Sequence, residues 1–300
     1  MLFNSVHFLL FFAVVFLVYW LLPRRAQNPW LLLTSFFFYG YWDWRFLGLL
    51  IGSMLVDFTA GLLIGRFHER DNGWGAKRSL LMSLALNVGL LVSFKALGLL
   101  QSLLEHHDSA NRFSATAYVI PLGISFYTFQ ALGYVIDVYR KRIRPTSNLV
   151  DFMIFVSFFP QLIAGPIEKA ENLLPQVEGK RSIDLGRAMD SVFLFIWGLF
   201  FKTVAADNLL PFVVGYFEQP SEVGSLKTLL SFYAAAFHVY CDFAGYTYMA
   251  LGAAGLLGFK LSDNFRMPYF SRGPQEFWSR WHITLVVWFR SYVFMPLSKL

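Results

Sequence analysis

Cysteine is nearly absent: one thiol, Cys241, in 300 residues excludes an intrachain disulfide and any cysteine-rich metal site. It lies in an apolar stretch, where a small buried filler is expected rather than a reactive thiol. Charge is scarce too, at 15% of residues against about 25% in an ordinary soluble domain. There is no glycine-rich phosphate loop, no G-x-S-x-G elbow and no HExxH pair. Internal repeats are missing, which weakens a reading as a transporter built from duplicated halves.

What remains is apolar. Hydrophobic residues make up 56% of the chain, and they come in long runs rather than amphipathic stripes. The runs cover 6–22, 29–41, 46–64, 80–104, 118–138, 152–166, 191–214, 228–257 and 283–297. The expected fold is all-α, a polytopic transmembrane helical bundle of about nine spans or re-entrant segments, in one membrane domain over 1–300. The first run lacks a basic n-region and a small-x-small cleavage site, and its arginines follow it, so it should remain as a span.

The net charge of +6 does not point to nucleic acid, because the basic residues sit in short clusters between apolar runs. Arg24 and Arg25 follow the first run, Arg66, Arg70, Lys77 and Arg78 the third, and Arg140, Lys141, Arg142 and Arg144 the fifth. That alternation predicts an extracytoplasmic N-terminus and three basic cytoplasmic loops. Two segments, 167–190 and 260–280, are too polar to cross lipid and read as surface or re-entrant pieces.

The densest polar constellation is DNFRMPY at 263–269 followed by PQEFWSRWH at 274–282. His282 heads the candidates, since a neutral imidazole can take the proton of an attacking hydroxyl at working pH. On one helical stretch Glu276 and Arg280 would pair at i, i+4, with His282 on another face. Spacing alone favours an interfacial histidine in a belt with Trp278 and Trp281. Asp242 interrupts an apolar run and should be paired, protonated or water-facing. His238 stands four residues before it, within reach but not thereby a dyad. In 121–130, Gly123, Ser125 and Thr128 suit close helix packing and Gln130 an interhelical bond. Pro160, Gly165 and Pro166 predict a broken helix. His106-His107-Asp108 reads as a solvated loop rather than a metal site, and His7 and His68 have no partner in view.

Five ordered motifs resemble a known family: PLGISFYTFQ at 121–130, FPQLIAGP at 159–166, CDFAGY at 241–246, NFRMPY at 264–269 and EFWSRWHITL at 276–285. They are similar to membrane-bound O-acyltransferases, especially the bacterial alginate O-acetyltransferase membrane subunit, with the teichoic-acid D-alanyl transfer protein more distant. The resemblance implies a helical bundle around a tunnel in the bacterial inner membrane. No cofactor is implied; a cytoplasmic acyl thioester such as acetyl-CoA is the donor substrate, and an extracytoplasmic polysaccharide or a periplasmic acetyltransferase partner is the acceptor. It makes His282 the catalytic residue and has Gln130, Asp242, Tyr246, Asn264 and Arg280 line or brace the tunnel. Two departures bear on subfamily, through the acceptor or the donor: Tyr248 and Ser291 stand where this branch usually has acids. A second family histidine, in a Gly-Leu-Trp-His-Gly type segment, falls beyond Leu300, so a fragment or a shortened member is expected. Rival readings are a transporter or flippase of an activated acyl group or lipid-linked sugar, and a non-catalytic scaffold.

Overall fold

The computed structural model describes residues 1–107, 121–182, 184–218 and 224–299, and all regular structure among them is helical. The order is α1 (Val6–Leu21), α2 (Arg24–Asp43), α3 (Arg45–Glu69), α4 (Gly73–His107), α5 (Ile124–Tyr139), α6 (Leu149–Ser157), α7 (Ala170–Glu178), α8 (Leu185–Phe200), α9 (Asp207–Glu218), α10 (Ser225–Leu256), α11 (Pro274–Arg280), α12 (Ile283–Phe289) and α13 (Met295–Leu297). Two π-helical segments, Phe201–Ala206 and Arg290–Phe294, join α8 to α9 and α12 to α13. Residues 108–120 fall outside the described set; of the solvated loop expected at His106-His107-Asp108, the two histidines close α4 and Asp108 lies outside the described residues.

Among the described residues three helices are long and apolar enough to cross a membrane: Arg45–Glu69, Gly73–Leu100 and Leu185–Tyr216. Val6–Leu21 and Ile283–Leu297 are shorter apolar helices. The expected count of about nine spans is therefore not reproduced, and the physical reason differs from run to run. The fifth run becomes α5, which is buried along nearly its whole length against protein. The sixth is helical only to Ser157, after which the chain turns irregularly through buried Phe158, Phe159, Gln161 and Leu162. Pro160 cannot continue the helix, and irregular backbone at such depth is tolerated when it is enclosed in protein. The helix α10 is 32 residues long but carries Lys227, His238 and Asp242.

Packing follows from small residues and rings. Backbones of α8 and α10 approach so closely that a Cβ on Gly245 would stand 2.8 Å from the Gly198 carbonyl oxygen. Such small-residue seams hold helices together where lipid offers no hydrophobic drive. Phe3, Phe8, Phe38 and Phe159 form the aromatic centre between the N-terminal helices and the broken segment. Gly123 caps α5 at φ 72°, and a Cβ there would lie 2.6 Å from the Leu162 carbonyl oxygen, so the turn into α5 requires glycine.

The three basic loops gather at one end of the molecule. Arg24 donates to the Val177 and Gly179 carbonyls at 2.6 and 3.0 Å. Pro145 packs on Gly65, and His68 Nε2 lies 3.0 Å from the Tyr139 carbonyl, giving that histidine the partner its sequence context did not suggest. Thr146 bonds Glu178 at 3.2 Å, which ties the loop after α5 to α7.

Candidate active site

His282 does not lie on one helix with Glu276 and Arg280. The helix α11 ends at Arg280, and His282 sits in the left-handed region (φ 43°, ψ 52°) as the residue preceding α12. A non-glycine residue held there marks a position fixed by its surroundings. The expected Glu276–Arg280 pair does form, at 2.5 Å, and Glu276 also accepts the Arg272 N–H at 2.8 Å. Those two contacts hold its carboxyl below the usual range.

The partner of His282 is Asn264, buried to 1% exposure, whose Oδ1 stands 3.1 Å from Nδ1. The same Oδ1 faces the Thr284 N–H at 3.2 Å and the Thr284 hydroxyl at 2.8 Å. A main-chain N–H can only donate, so the atom opposite it is the amide oxygen, and His282 must then carry its proton on Nδ1. This leaves Nε2 with a lone pair, the form a general base requires. Phe126 stacks on the imidazole at 5.9 Å and Phe243 meets it edge-on at 4.8 Å. Burial in this box, outside the three long apolar helices, pushes the His282 pKa down to about 4. The ring is neutral at pH 7.

Asn264 Nδ2 is buried and has no partner among the described residues. One face of this side chain is thus committed to His282 and Thr284, while the other presents a free N–H donor.

The remaining sequence candidates are spread around this centre. Gln130 donates to the Phe155 carbonyl, which also accepts Gln161 at 2.8 Å, and so bonds α5 to α6 away from the imidazole. Asp242 pairs with Lys202 at 2.6 Å, and Lys202 reaches Asp207 at 2.8 Å as well. His238 turns its Nδ1 to the Ala206 carbonyl at 2.9 Å, in the π segment, rather than to Asp242. Tyr246 lies edge-on to Phe3 at 4.6 Å. Trp281 stacks on Phe277 at 5.6 Å inside an aromatic cluster, whereas Trp278 is exposed.

Sequence reasoning missed Thr284, and it missed Phe126, Phe243 and Phe265 as the walls of the imidazole box. The only signal was the position of Thr284 two residues past the histidine. Two cavities lie nearby, one of about 240 Å³ lined by Ile167, Ser262, Arg266 and Thr284, and one of about 440 Å³ lined by Ser182, Arg187, Lys260 and Asp263. His282 lines neither.

Depth follows from α5. His282 is beside Phe126 at its start, and Asp137 near its end bonds Tyr292 at 2.5 Å while Arg140 bonds the Ser291 carbonyl at 2.9 Å. At 1.5 Å rise per residue, the imidazole is about 16 Å along α5 from the basic end.

A family model described as MBOAT, membrane-bound O-acyltransferase family, matches residues 36–300. The chain is 35% identical to the probable alginate O-acetylase of Azotobacter vinelandii, covering 99% of this chain and 60% of that protein. It is 34% identical to the peptidoglycan O-acetyltransferase of Helicobacter pylori, over 99% and 62% respectively. A teichoic acid D-alanyltransferase of Streptococcus thermophilus is 34% identical over 59% of this chain and 44% of its own length. The chain spans about 60% of the length of the first two relatives.

Proposed function

The chain belongs to the membrane-bound O-acyltransferase family, and on that premise we propose that it carries the base and part of the acyl-transfer site of an enzyme that moves an acetyl group toward a hydroxyl of an extracytoplasmic polysaccharide. The observation that carries this reading is the His282 imidazole enclosed by Phe126 and Phe243 with its Nδ1 3.1 Å from Oδ1 of the buried Asn264. Alginate and peptidoglycan are the acceptors named for the two relatives that match nearly the whole chain.

In the proposed step the acceptor hydroxyl oxygen attacks the thioester carbonyl carbon as His282 Nε2 takes the hydroxyl proton. The carbonyl oxygen becomes an oxyanion, and Asn264 Nδ2 is the free buried donor on the side chain that contacts His282. Collapse breaks the C–S bond, forms the ester, and returns the proton from the imidazolium to the thiolate. An acetyl-CoA-like donor, approaching from the basic end that the positive-inside rule assigns to the cytoplasm, would meet the acceptor at the depth of His282. In the proposal Tyr246, Asp242 and Arg280 brace the walls of the tunnel and Gln130 braces it at a distance from His282 by tying α5 to α6, and a periplasmic transferase is an acceptor consistent with it.

Product chemistry tests it. The full-length protein in vesicles, given acetyl-labelled thioester on one side and polysaccharide on the other, is expected to yield labelled ester. A carrier would move label across without forming that bond, and either transport alone or no ester with both substrates present contradicts the proposal.

A further inference from the structure

The three basic loops engage their cations differently. Arg24 donates to the carbonyls that close α7, Arg140 to the Ser291 carbonyl while it lies 5.7 Å from the Tyr292 ring centre, and Arg142 pairs with Asp137. The turn between α3 and α4 is the exception. Arg66 and Arg70 stand four residues apart at the end of α3, Lys77 and Arg78 follow the first turn of α4, and all four are exposed. Among the described residues none of the four makes a side-chain hydrogen bond or an ion pair. The turn therefore carries four cations against two acids, Glu69 and Asp71, and neutralises none of the four through a direct contact.

The turn is also fixed in place. Asn72 donates its N–H to the Phe67 carbonyl at 2.8 Å, its side-chain oxygen accepts the Gly75 N–H at 2.9 Å, and the Phe67 ring lies against Gly75. Three residues, 70–72, separate two of the long apolar helices, so the turn stays at the level where both leave the hydrocarbon. Trp74 stands there 71% exposed, with the Arg78 guanidinium 5.5 Å from its ring centre. An indole suits the headgroup region, and a guanidinium resting on its face is held where a phosphate can meet it. None of these five residues lines either cavity near His282, so the patch is separate from the candidate active site.

We propose that Trp74, Lys77 and Arg78, flanked by Arg66 and Arg70, form a docking surface for the headgroup of an anionic phospholipid in the leaflet that the α3–α4 turn faces. An anionic headgroup brings the net negative charge that the turn lacks, whereas a zwitterionic one cancels its own phosphate. The surface does not depend on the proposed reaction.

The test uses the full-length protein in an uncharged detergent, titrated with phosphatidylglycerol or phosphatidylcholine, with bound lipid counted by native mass spectrometry. The parent is expected to hold phosphatidylglycerol about tenfold or more tightly than phosphatidylcholine. Arg78→Gln should weaken phosphatidylglycerol binding about fivefold and Lys77→Gln with Arg78→Gln about 25-fold, leaving phosphatidylcholine binding unchanged. Arg142→Gln, in the loop after α5, controls for charge spread over the whole basic end and is expected to change binding less than about twofold. Phosphatidylglycerol should raise the unfolding midpoint of the parent and not that of the double variant. Should the double variant fail to fold, the parent decides: raising salt from about 50 to about 500 mM should release phosphatidylglycerol and keep phosphatidylcholine. Equal affinity for the two lipids, or an Arg78→Gln effect no larger than that of Arg142→Gln, overturns the proposal. Displacement of phosphatidylglycerol by free coenzyme A would assign the patch to a soluble phosphate and overturns it as well.

Discussion

Tyr292 donates its hydroxyl to Asp137 at 2.5 Å, and this contact fastens the π segment after α12 to the far end of α5. Asp137 is 2% exposed and its other neighbour, Arg142, is 3.4 Å away. Because α12 begins immediately after His282, the latch at its lower end helps set where the imidazole stands at its upper end.

Removal of that hydroxyl in Tyr292→Phe leaves a buried carboxyl short of a donor, with an expected loss of about 1–3 kcal/mol. Thermal unfolding in detergent should show a lowered midpoint, and Asp137→Asn in the same background should recover part of it. A midpoint equal to the parent's would show that the contact does not hold the helices.

Asn264→Ala strips the acceptor from His282 Nδ1 and from both Thr284 donors. Acyl transfer by the full-length protein should fall about 10²- to 10⁴-fold in kcat. Steady-state kinetics with labelled donor measures this; a change confined to KM would assign Asn264 to substrate binding alone.

The depressed pKa of His282, about 4 against 6.5 for the free side chain, makes stability depend on pH. The unfolded chain binds the proton more tightly, so the contribution is complete above pH 6.5 and is lost as pH falls toward 4. At pH 5 the loss is about 2 kcal/mol. The difference in thermal midpoint between the parent and His282→Gln, measured from pH 7.5 to 5, should move against the parent as pH drops. A constant difference would mean the imidazole is not buried as described.

Gly123→Ala forces a side chain onto φ 72° with its Cβ 2.6 Å from the Leu162 carbonyl oxygen. An expected destabilisation of about 1–3 kcal/mol would appear as a lower unfolding midpoint. An unchanged midpoint would mean that the turn into α5 relaxes freely.

Much of this arrangement was legible in the residues themselves. The break after Ser157 follows from Pro160, Gly165 and Pro166, and the gathering of the three basic loops at one end follows from their alternation along the chain. The Glu276–Arg280 pair follows from helical spacing. The span count was not, because apolarity does not distinguish a helix facing lipid from one enclosed by protein, and α5 is enclosed. Nor was the turn at His282: nothing in Trp281-His282-Ile283 breaks a helix, and the left-handed backbone accompanies a bond to Asn264, 18 positions earlier in the chain. Thr284 was invisible for the same reason, since its role exists only once Ile167 and Asn264 are beside it.

The most direct test of the central claim is the rate of ester formation by His282→Ala in the full-length protein, with labelled acetyl thioester and polysaccharide, after its folding has been checked by its unfolding midpoint. A base in this position predicts a fall of about 10²- to 10⁴-fold in kcat with the donor still bound. Ester formation at the parent's rate would contradict it.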